Sequence, residues 1–281
     1  MTKIKDKIVL ITGGANGIGR LMGAKFLREG AKHLIIWDIN AQNLSLTVEK
    51  FQQSGYNVTG YHVDIANVSD IESTAHEVLA EIGSVDVLVN NAGVAVGKLF
   101  KDHTARDIEK SFEINVLGVM HTTRCFLPAM LQMGSGHIVN IASASSFTPN
   151  PKMAVYASSK WAVYGWSESL RIELERENKD LHVTTVCPSY IDTGMFAGVK
   201  APLLTPILKP DDICEQVIRA VQRNQIILFA PQIVKLLPFL RGILPTRVFD
   251  ALGGNFFGIY RTMKNFVGRP TNEALPEKKN Y

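Results

Sequence analysis

The sequence predicts an α/β fold in which a parallel sheet of about seven strands is doubly wound by helices. Two observations carry this reading. Short continuous apolar runs such as Ile8-Val-Leu-Ile11 suit strands buried on both faces. They alternate with longer stretches whose apolar residues recur at helical spacing, and that order builds parallel sheets with ligands at the strand C-terminal ends. At 281 residues, 46% hydrophobic and 20% charged, the chain can bury one large core. No composition break divides it, so a single domain over 1–281 is expected, with a core at about 5–230, an apolar helical extension at about 231–270 and a frayed tail at 271–281.

The first strand runs into Thr12-Gly-Gly-Ala-Asn-Gly17-Ile-Gly19 and then into a helical pattern of Ile18, Met22, Phe26 and Leu27. Glycines at 13, 17 and 19 let the backbone turn tightly and let a pyrophosphate approach the helix N-terminus, where unpaired N–H groups favour negative charge. Plain turns also use glycine, but strand, glycine turn and helix together point to a nucleotide. The next strand, His33 to Asp38, ends in a carboxylate about 20 residues further on, where dinucleotide folds place the acid that binds the ribose hydroxyls. Asp38 would repel a 2′-phosphate, and Ala15, Asn16 and Ile39 offer no cation to hold one, so NAD is expected over NADP. A helix N-cap near Ala41 is the structural alternative for Asp38, and Asn40 could serve equally well.

The alternation continues with a helix ending at Gln53, a strand at 57–63, a helix at 68–81 and a strand at 85–89. Asp64 and Asn90-Asn-Ala-Gly93 fall at strand ends, suited respectively to an adenine amino group and to close backbone packing against a cofactor, though both are also ordinary turn chemistry. A long helix is expected from Asp107 to Met133, closed by Gly134. Asn115 lies within it, where an asparagine lowers helix propensity and is either exposed and harmless or buried for a purpose. A strand at 136–142, a loop at 143–151 and a helix from Val155 to Glu177 follow. On that helix Tyr156 and Lys160 stand four residues apart on one face, so an ammonium can lie beside a phenol and lower its pKa toward the working range. Solvated helix faces show the same spacing by chance. A strand at 181–187 then leads into Pro188-Ser-Tyr-Ile-Asp-Thr193.

Thr12-Gly-x-x-x-Gly17-x-Gly19, Asn90-Asn-Ala-Gly93, Asn115, a serine thirteen residues before Tyr156, Tyr156-x-x-x-Lys160 and Pro188-x-x-x-x-Thr193 together resemble the short-chain dehydrogenase/reductase family over roughly residues 5–230. Within it, Trp37-Asp-Ile-Asn40, Phe126-Leu-Pro-Ala-Met130 and Asp192-Thr-Gly-Met195 look like the epidermal retinol and 17β-hydroxysteroid dehydrogenase branch. The resemblance implies a Rossmann fold and makes Tyr156 the general acid/base. Lys160 would tune it and bind the nicotinamide ribose, Ser143 would orient the substrate oxygen, and Asn115 would hold a water joining Lys160 to solvent. Ser145 and Ser146 are chemically able substitutes for Ser143, but the offset selects Ser143. The NAD site would comprise Thr12, Gly13, Asn16, Gly17, Ile18, Gly19, Asp38, Ile39, Asp64, Ile65, Asn91, Ala92, Gly93, Tyr156, Lys160, Pro188, Ile191 and Thr193. Ser143, Ser145, Tyr156, Tyr190, Met195 and Phe196 would meet the substrate. Ser189 stands where the family commonly has glycine, so an altered loop geometry is expected there. The family also implies a homodimer or homotetramer built on the helices carrying Asn115 and Tyr156.

Other chemistries lack their motifs. The histidines show no H-x-x-x-H or His/Cys ligand spacing, so no metal site is expected. No G-x-S-x-G elbow surrounds Ser158 and Ser159, which disfavours a hydrolase. Three scattered cysteines without C-x-x-C spacing read as core residues in a reducing, cytoplasmic setting. Neither a signal peptide nor an apolar run of bilayer-spanning length is read, and the N-terminal membrane anchor of that branch has no counterpart here, so a soluble or peripheral protein is expected.

The last third differs in character. Residues 200–281 hold 12 Lys and Arg against 6 Asp and Glu, interleaved with Leu, Ile and Phe, which favours a membrane surface or an anionic partner over nucleic acid. The stretch 194–208 is apolar, broken by Gly and Pro, and suits a mobile lid over a greasy ligand. A helix at 211–223 and a strand at 226–229 close the core. For the extension three roles compete: a pocket wall with a subunit contact, insertion into a membrane interface, and a core extension, with Pro231, Pro238 and Pro245 interrupting any long helix. The sequence therefore reads as an NAD-dependent oxidoreductase of a lipophilic alcohol or ketone, steroids and retinoids first. The rivals are an NAD-binding lipid-surface or scaffold protein without turnover and a 3-oxoacyl-thioester reductase.

Overall fold

The computed structural model describes residues 1–268, so the tail expected at 271–281 lies outside it. Seven strands form one parallel sheet: β1 (Ile8–Thr12), β2 (His33–Asp38), β3 (Val58–His62), β4 (Val87–Asn90), β5 (Ser135–Ile141), β6 (Asp180–Pro188) and β7 (Ile227–Ala230), in the order β3-β2-β1-β4-β5-β6-β7. The chain builds outward from β1 to β3 and then returns to β4 on the other side of β1. The crevice where the winding reverses lies between the C-terminal ends of β1 and β4, and the glycine turn and Asn90–Gly93 follow those two strands.

Helices α1 (Gly17–Arg28), α2 (Ala41–Gln53), α3 (Val68–Glu81), α4 (Ala105–Phe112), α5 (Gly118–Met133), α6 (Ala154–Glu175) and α7 (Pro210–Gln222) connect the strands. Period-two alternation feeds two core layers: Val9, Ile11, Leu34 and Ile36 join Met22, Phe26, Val217 and Val221 on one face. Leu10, Ile35 and Trp37 join Ile71, Val78, Phe126 and Leu170 on the other. At β2 the buried Trp37 ring meets Phe126 with centroids 5.6 Å apart, which locks α5 to the sheet.

The long helix expected at 107–133 is present but broken in register. Thr104 and Asp107 form a capping box that starts α4. Residues Glu113–Leu117 then take π geometry, with the Gly118 N–H donating to the Glu113 carbonyl. Gly118 belongs here because a β-carbon would stand 2.5 Å from the Ile65 carbonyl oxygen, a contact no side chain tolerates. Gly134, at φ 72°, ends α5 as predicted.

Beyond β7 the extension forms a short turn, α8 (Leu236–Ile243), α9 (Thr246–Phe249) and a π segment over Asp250–Phe256; Pro231 and Pro245 divide it as expected, whereas Pro238 sits within the first turn of α8 without breaking it. Its last residues return across the apolar stretch that follows Thr193. Leu203 N–H donates to Phe257 O at 2.9 Å, Lys200 N–H to Thr262 O at 3.1 Å and Val267 N–H to Ala197 O at 2.9 Å. Met263 is fully buried in a cluster with Met153, Tyr156 and Val199. The stretch read as a mobile lid is thus strapped down by backbone hydrogen bonds to the extension.

Candidate active site

The glycine turn works by close backbone approach. Gly13 and Gly17 sit at φ 63° and 54°, in the left-handed region. A β-carbon on Gly19 would fall 2.2 Å from Gly13 O and 2.6 Å from Asn91 Nδ2. Asn91 Nδ2 donates to Thr12 O at 2.9 Å and to Gly13 O at 3.1 Å, while Thr12 Oγ1 accepts from the N–H groups of Asn91 and Ala92 at 3.1 Å each. The two strand ends are thereby tied into one floor. Thr12 is buried beneath that floor, its hydroxyl turned to the backbone of Asn91 and Ala92, and it supports the cleft from below. Gly13, Asn16, Gly17, Ile18, Gly19, Asp38, Ile39, Asp64, Ile65, Asn91, Ala92 and Gly93 all line it.

Asn16 and Asn40 cap α1 and α2 through their side chains. The cap role open to Asp38 is therefore filled by Asn40. Asp38 instead accepts from Ala15 N–H at 3.0 Å and Asn40 N–H at 2.9 Å, which hold the carboxylate at the cleft wall. Asp64 accepts from Ala66 N–H at 2.9 Å, so its turn chemistry is real, and it also reaches the cleft.

Helix α6 brings Tyr156 and Lys160 to the same cavity, both buried. Lys160 Nζ donates to Ile141 O at 2.7 Å and lies 5.8 Å from the Tyr156 ring centroid. A β-carbon on Gly93 would meet Nζ at 3.6 Å, an ordinary contact, and Asn115 Oδ1 more tightly at 3.2 Å. Asn115, inside the π segment and fully buried, accepts from Val94 N–H at 2.8 Å. Its Nδ2 donates to Val94 O at 2.9 Å and Ser159 Oγ at 3.0 Å. Both side-chain hydrogens of Asn115 are thus engaged by protein. The side chain clamps the loop after β4 to α6.

The three candidate serines separate by partner. Ser143 accepts from Ser145 N–H at 3.1 Å, lines the cavity and is the first of the group after β5. Ser145 lines the cavity beside it, while Ser146 is buried and donates to Lys160 O at 2.8 Å.

Pro188, Ile191 and Thr193 line the cavity where the offset placed them, with Thr193 N–H donating to Ile191 O at 2.9 Å. Ser189 also lines it, and its N–H donates to Ala230 O at 2.7 Å. Its φ lies outside the left-handed region, so a serine carries no backbone strain there, and the distortion expected from the missing glycine has no cause. Tyr190, Met195 and Phe196 line the far side, and the Phe196 ring sits edge-on to both Tyr156 and Tyr190. Sequence reasoning missed Asn150, whose Nδ2 donates to Tyr190 Oη and Thr262 Oγ1 at 2.9 and 2.8 Å. It offered a pocket wall as one role for the extension without singling out the residues that make it, Leu237, Leu240, Leu244, Phe249 and Phe257. A polar residue beside Pro151 and the 237/240/244 spacing were the available signals. The whole cavity measures about 590 Å³.

Comparison with known proteins agrees with this geometry. The short chain dehydrogenase family model matches residues 7–203. The chain belongs to the short-chain dehydrogenase family. It is 35% identical to epidermal retinol dehydrogenase 2 of Homo sapiens over 268 residues, covering 94% of this chain and 86% of that protein. To estradiol 17-beta-dehydrogenase 11 of Homo sapiens it is 39% identical over 251 residues, covering 89% and 83%. Among solved structures, a short-chain dehydrogenase/reductase from Burkholderia phymatum in complex with NAD superposes at TM-score 0.79 and 26% identity, covering 86% of this chain and 95% of that one. A metagenomic short-chain oxidoreductase in complex with NADP gives TM-score 0.69 at 26% identity, covering 82% and 98%.

As a short-chain dehydrogenase the protein is an oxidoreductase that takes a nicotinamide cofactor, and its residues fit one. The Gly13/Gly19 cradle is the space a β-carbon would fill, and it opens onto the carboxylate of Asp38 at one side and Lys160 at the other. The electrostatics of the Tyr156 and Lys160 pair depart from the sequence reading. Burial pushes the Tyr156 phenol up to about 12, and the nearby Ser143 hydroxyl, which pulls the other way, does not offset it. Burial likewise pushes the Lys160 ammonium down to about 8. Desolvation penalises both charged forms, and it outweighs the mutual attraction expected from the four-residue spacing because Nζ points at a carbonyl and not at the phenol oxygen.

This has a sign. Between pH 8 and the ordinary lysine value of 10.5 the unfolded chain binds a proton at Lys160 that the folded chain has released, so this lysine makes stability rise with pH through that window. The stability of wild type minus that of Lys160→Met, measured by denaturant unfolding without added cofactor, is expected to increase by on the order of 2 kcal/mol from pH 7 to pH 10. A difference independent of pH would show that the ammonium is not desolvated.

Proposed function

We propose that this short-chain dehydrogenase uses NAD to interconvert a secondary alcohol and a ketone, or a primary alcohol and an aldehyde, on a lipophilic molecule such as a steroid or retinoid. The observation that carries the reading is the position of Tyr156. It lines one cavity whose near end is the glycine cleft and whose far end is walled by Met195, Phe196, Leu237, Leu240 and Phe257. Bound nicotinamide supplies or accepts the hydride. Tyr156 handles the proton at the substrate oxygen, and burial holds its phenol protonated, the form that protonates a carbonyl. Ser143 hydrogen-bonds that oxygen and fixes its direction, Lys160 holds positive charge beside the site, and Asn115 keeps the two on one rigid face. The names of the two human relatives support retinoid and steroid chemistry over a small polar substrate.

Tyr156→Phe is expected to bind NADH as wild type does, followed by fluorescence, and to lose about 10²-fold or more in turnover of a hydroxysteroid or retinol panel followed at the NADH absorbance. Turnover like wild type in that variant would remove Tyr156 from the chemistry.

NAD is favoured over NADP by charge. Asp38 lines the cleft, and Lys160 is the one Lys or Arg among the described residues that line the cavity, at the opposite end from the adenosine side. A 2′-phosphate beside Asp38 would meet a carboxylate and no cation. NADH is expected to bind at least about tenfold more tightly than NADPH, and Asp38→Ala with Ile39→Arg to reverse the order. Equal affinities in the wild type would remove this reading.

The molecule is read as a cytoplasmic homodimer or homotetramer. Exposed apolar side chains on the long helices, Leu117, Met133, Trp161 and Ile172, support a subunit contact there. Its three free cysteines support a reducing setting. Gel filtration at micromolar concentration is expected to give twice or four times the 31.0 kDa chain mass. A monomer would count against it.

A further inference from the structure

Helix α8, Leu236-Leu-Pro-Phe-Leu-Arg-Gly-Ile243, is apolar on two faces. Leu237 and Leu240, with Leu244 just beyond, point to the cavity. Phe239 and Ile243, four apart, lie outside the cavity lining and are 63% and 62% exposed. No residue of this helix is fully buried. A helix apolar on its outer side as well as toward the cavity, and yet uncovered, is one whose outer face lacks its solvent. The cavity opens in the middle of the same surface, since Leu203, Leu204, Leu236 and Leu252 both line it and stand exposed at its rim.

Charge selects what covers this surface. Residues 231–268 contain Lys235, Arg241, Arg247, Arg261 and Lys264 against one acid, Asp250, whose carboxylate accepts from Tyr260 Oη. Arg241 is tied inward by Phe147 O and the Trp161 ring. Lys235 and Arg247 flank α8 and are exposed. A second copy of this chain pairing through the same patch would bring these cations together about a two-fold axis and repel. An anionic lipid surface would neutralise them while taking up the apolar stripe.

We infer that the outer face of α8 and the rim formed by Leu203, Leu204 and Leu252 dock on an anionic membrane, so that the cavity mouth opens against lipid and the substrate enters from the bilayer. The lipophilic-substrate reading above gives this docking its purpose, while the docking face stands on exposure and charge alone. In sedimentation with vesicles, the full chain is expected to bind phosphatidylcholine vesicles containing phosphatidylserine, to bind pure phosphatidylcholine vesicles less, and to be released by salt. Phe239→Ser with Ile243→Ser, neither of which lines the cavity, should lower the bound fraction at least about tenfold and leave NADH binding unchanged. Equal vesicle binding by wild type and this variant overturns the proposal. So does a variant that binds no less but runs at smaller mass in gel filtration, which would assign the face to another copy. Turnover of a detergent-dispersed lipophilic alcohol tests the substrate reading separately, and its failure with vesicle binding intact would remove that reading and leave the docking face.

Discussion

An ammonium held out of water in the middle of the fold sets the terms for everything around it. Lys160 is 5% exposed, and its charge is supported by a single backbone carbonyl, that of Ile141, at 2.7 Å. Burying a cation with so little compensation is costly, which is why its proton is held less tightly than in solution. The surroundings must therefore be rigid. Ser146 fixes the Lys160 carbonyl, Ser159 is bonded to Tyr156 O at 2.7 Å and to Asn115, and Asn115 grips Val94 from both sides of its peptide.

The π segment at Glu113–Leu117 is the local irregularity that makes this arrangement possible. A regular helix would carry each side chain round by a constant angle, and here the wider turn accompanies an asparagine directed at the next loop. The cost in propensity falls on a helix otherwise secured by a capping box at Thr104, by Phe126 against Trp37 and by a left-handed Gly134. Irregularity is concentrated at the site, and regularity surrounds it.

The extension solves a different problem. An α/β sheet offers a cleft at its strand ends but no roof for a large apolar ligand. Here residues 257–267 strap the stretch after Thr193 by backbone hydrogen bonds, and Asn150, Tyr190 and Thr262 join the two through a closed set of polar contacts. Apolar side chains of α8 then wall the space between them. Cavity wall and exposed outer surface are opposite sides of one short helix, carried by different residues of it.

The alternation of strands and helices, the glycine turn, Asp38, Asn115, Ser143, Tyr156 and Lys160 were legible in the chain because each belongs to a local pattern: a continuous apolar run, a strand-turn-helix junction, a fixed offset along one helix. Three things were decided only by tertiary structure. Thr12 sits under the cleft floor because Asn91 and Ala92, distant in sequence, claim its hydroxyl. The ionisation of Tyr156 and Lys160 follows burial and not their spacing, since desolvation depends on every neighbour and spacing on two residues. The extension became a strap and a wall because its partners, from Ala197 to Leu203, lie some sixty residues earlier in the chain. Sequence determined which groups converge on the cavity, and packing across the chain determined their burial and what encloses them.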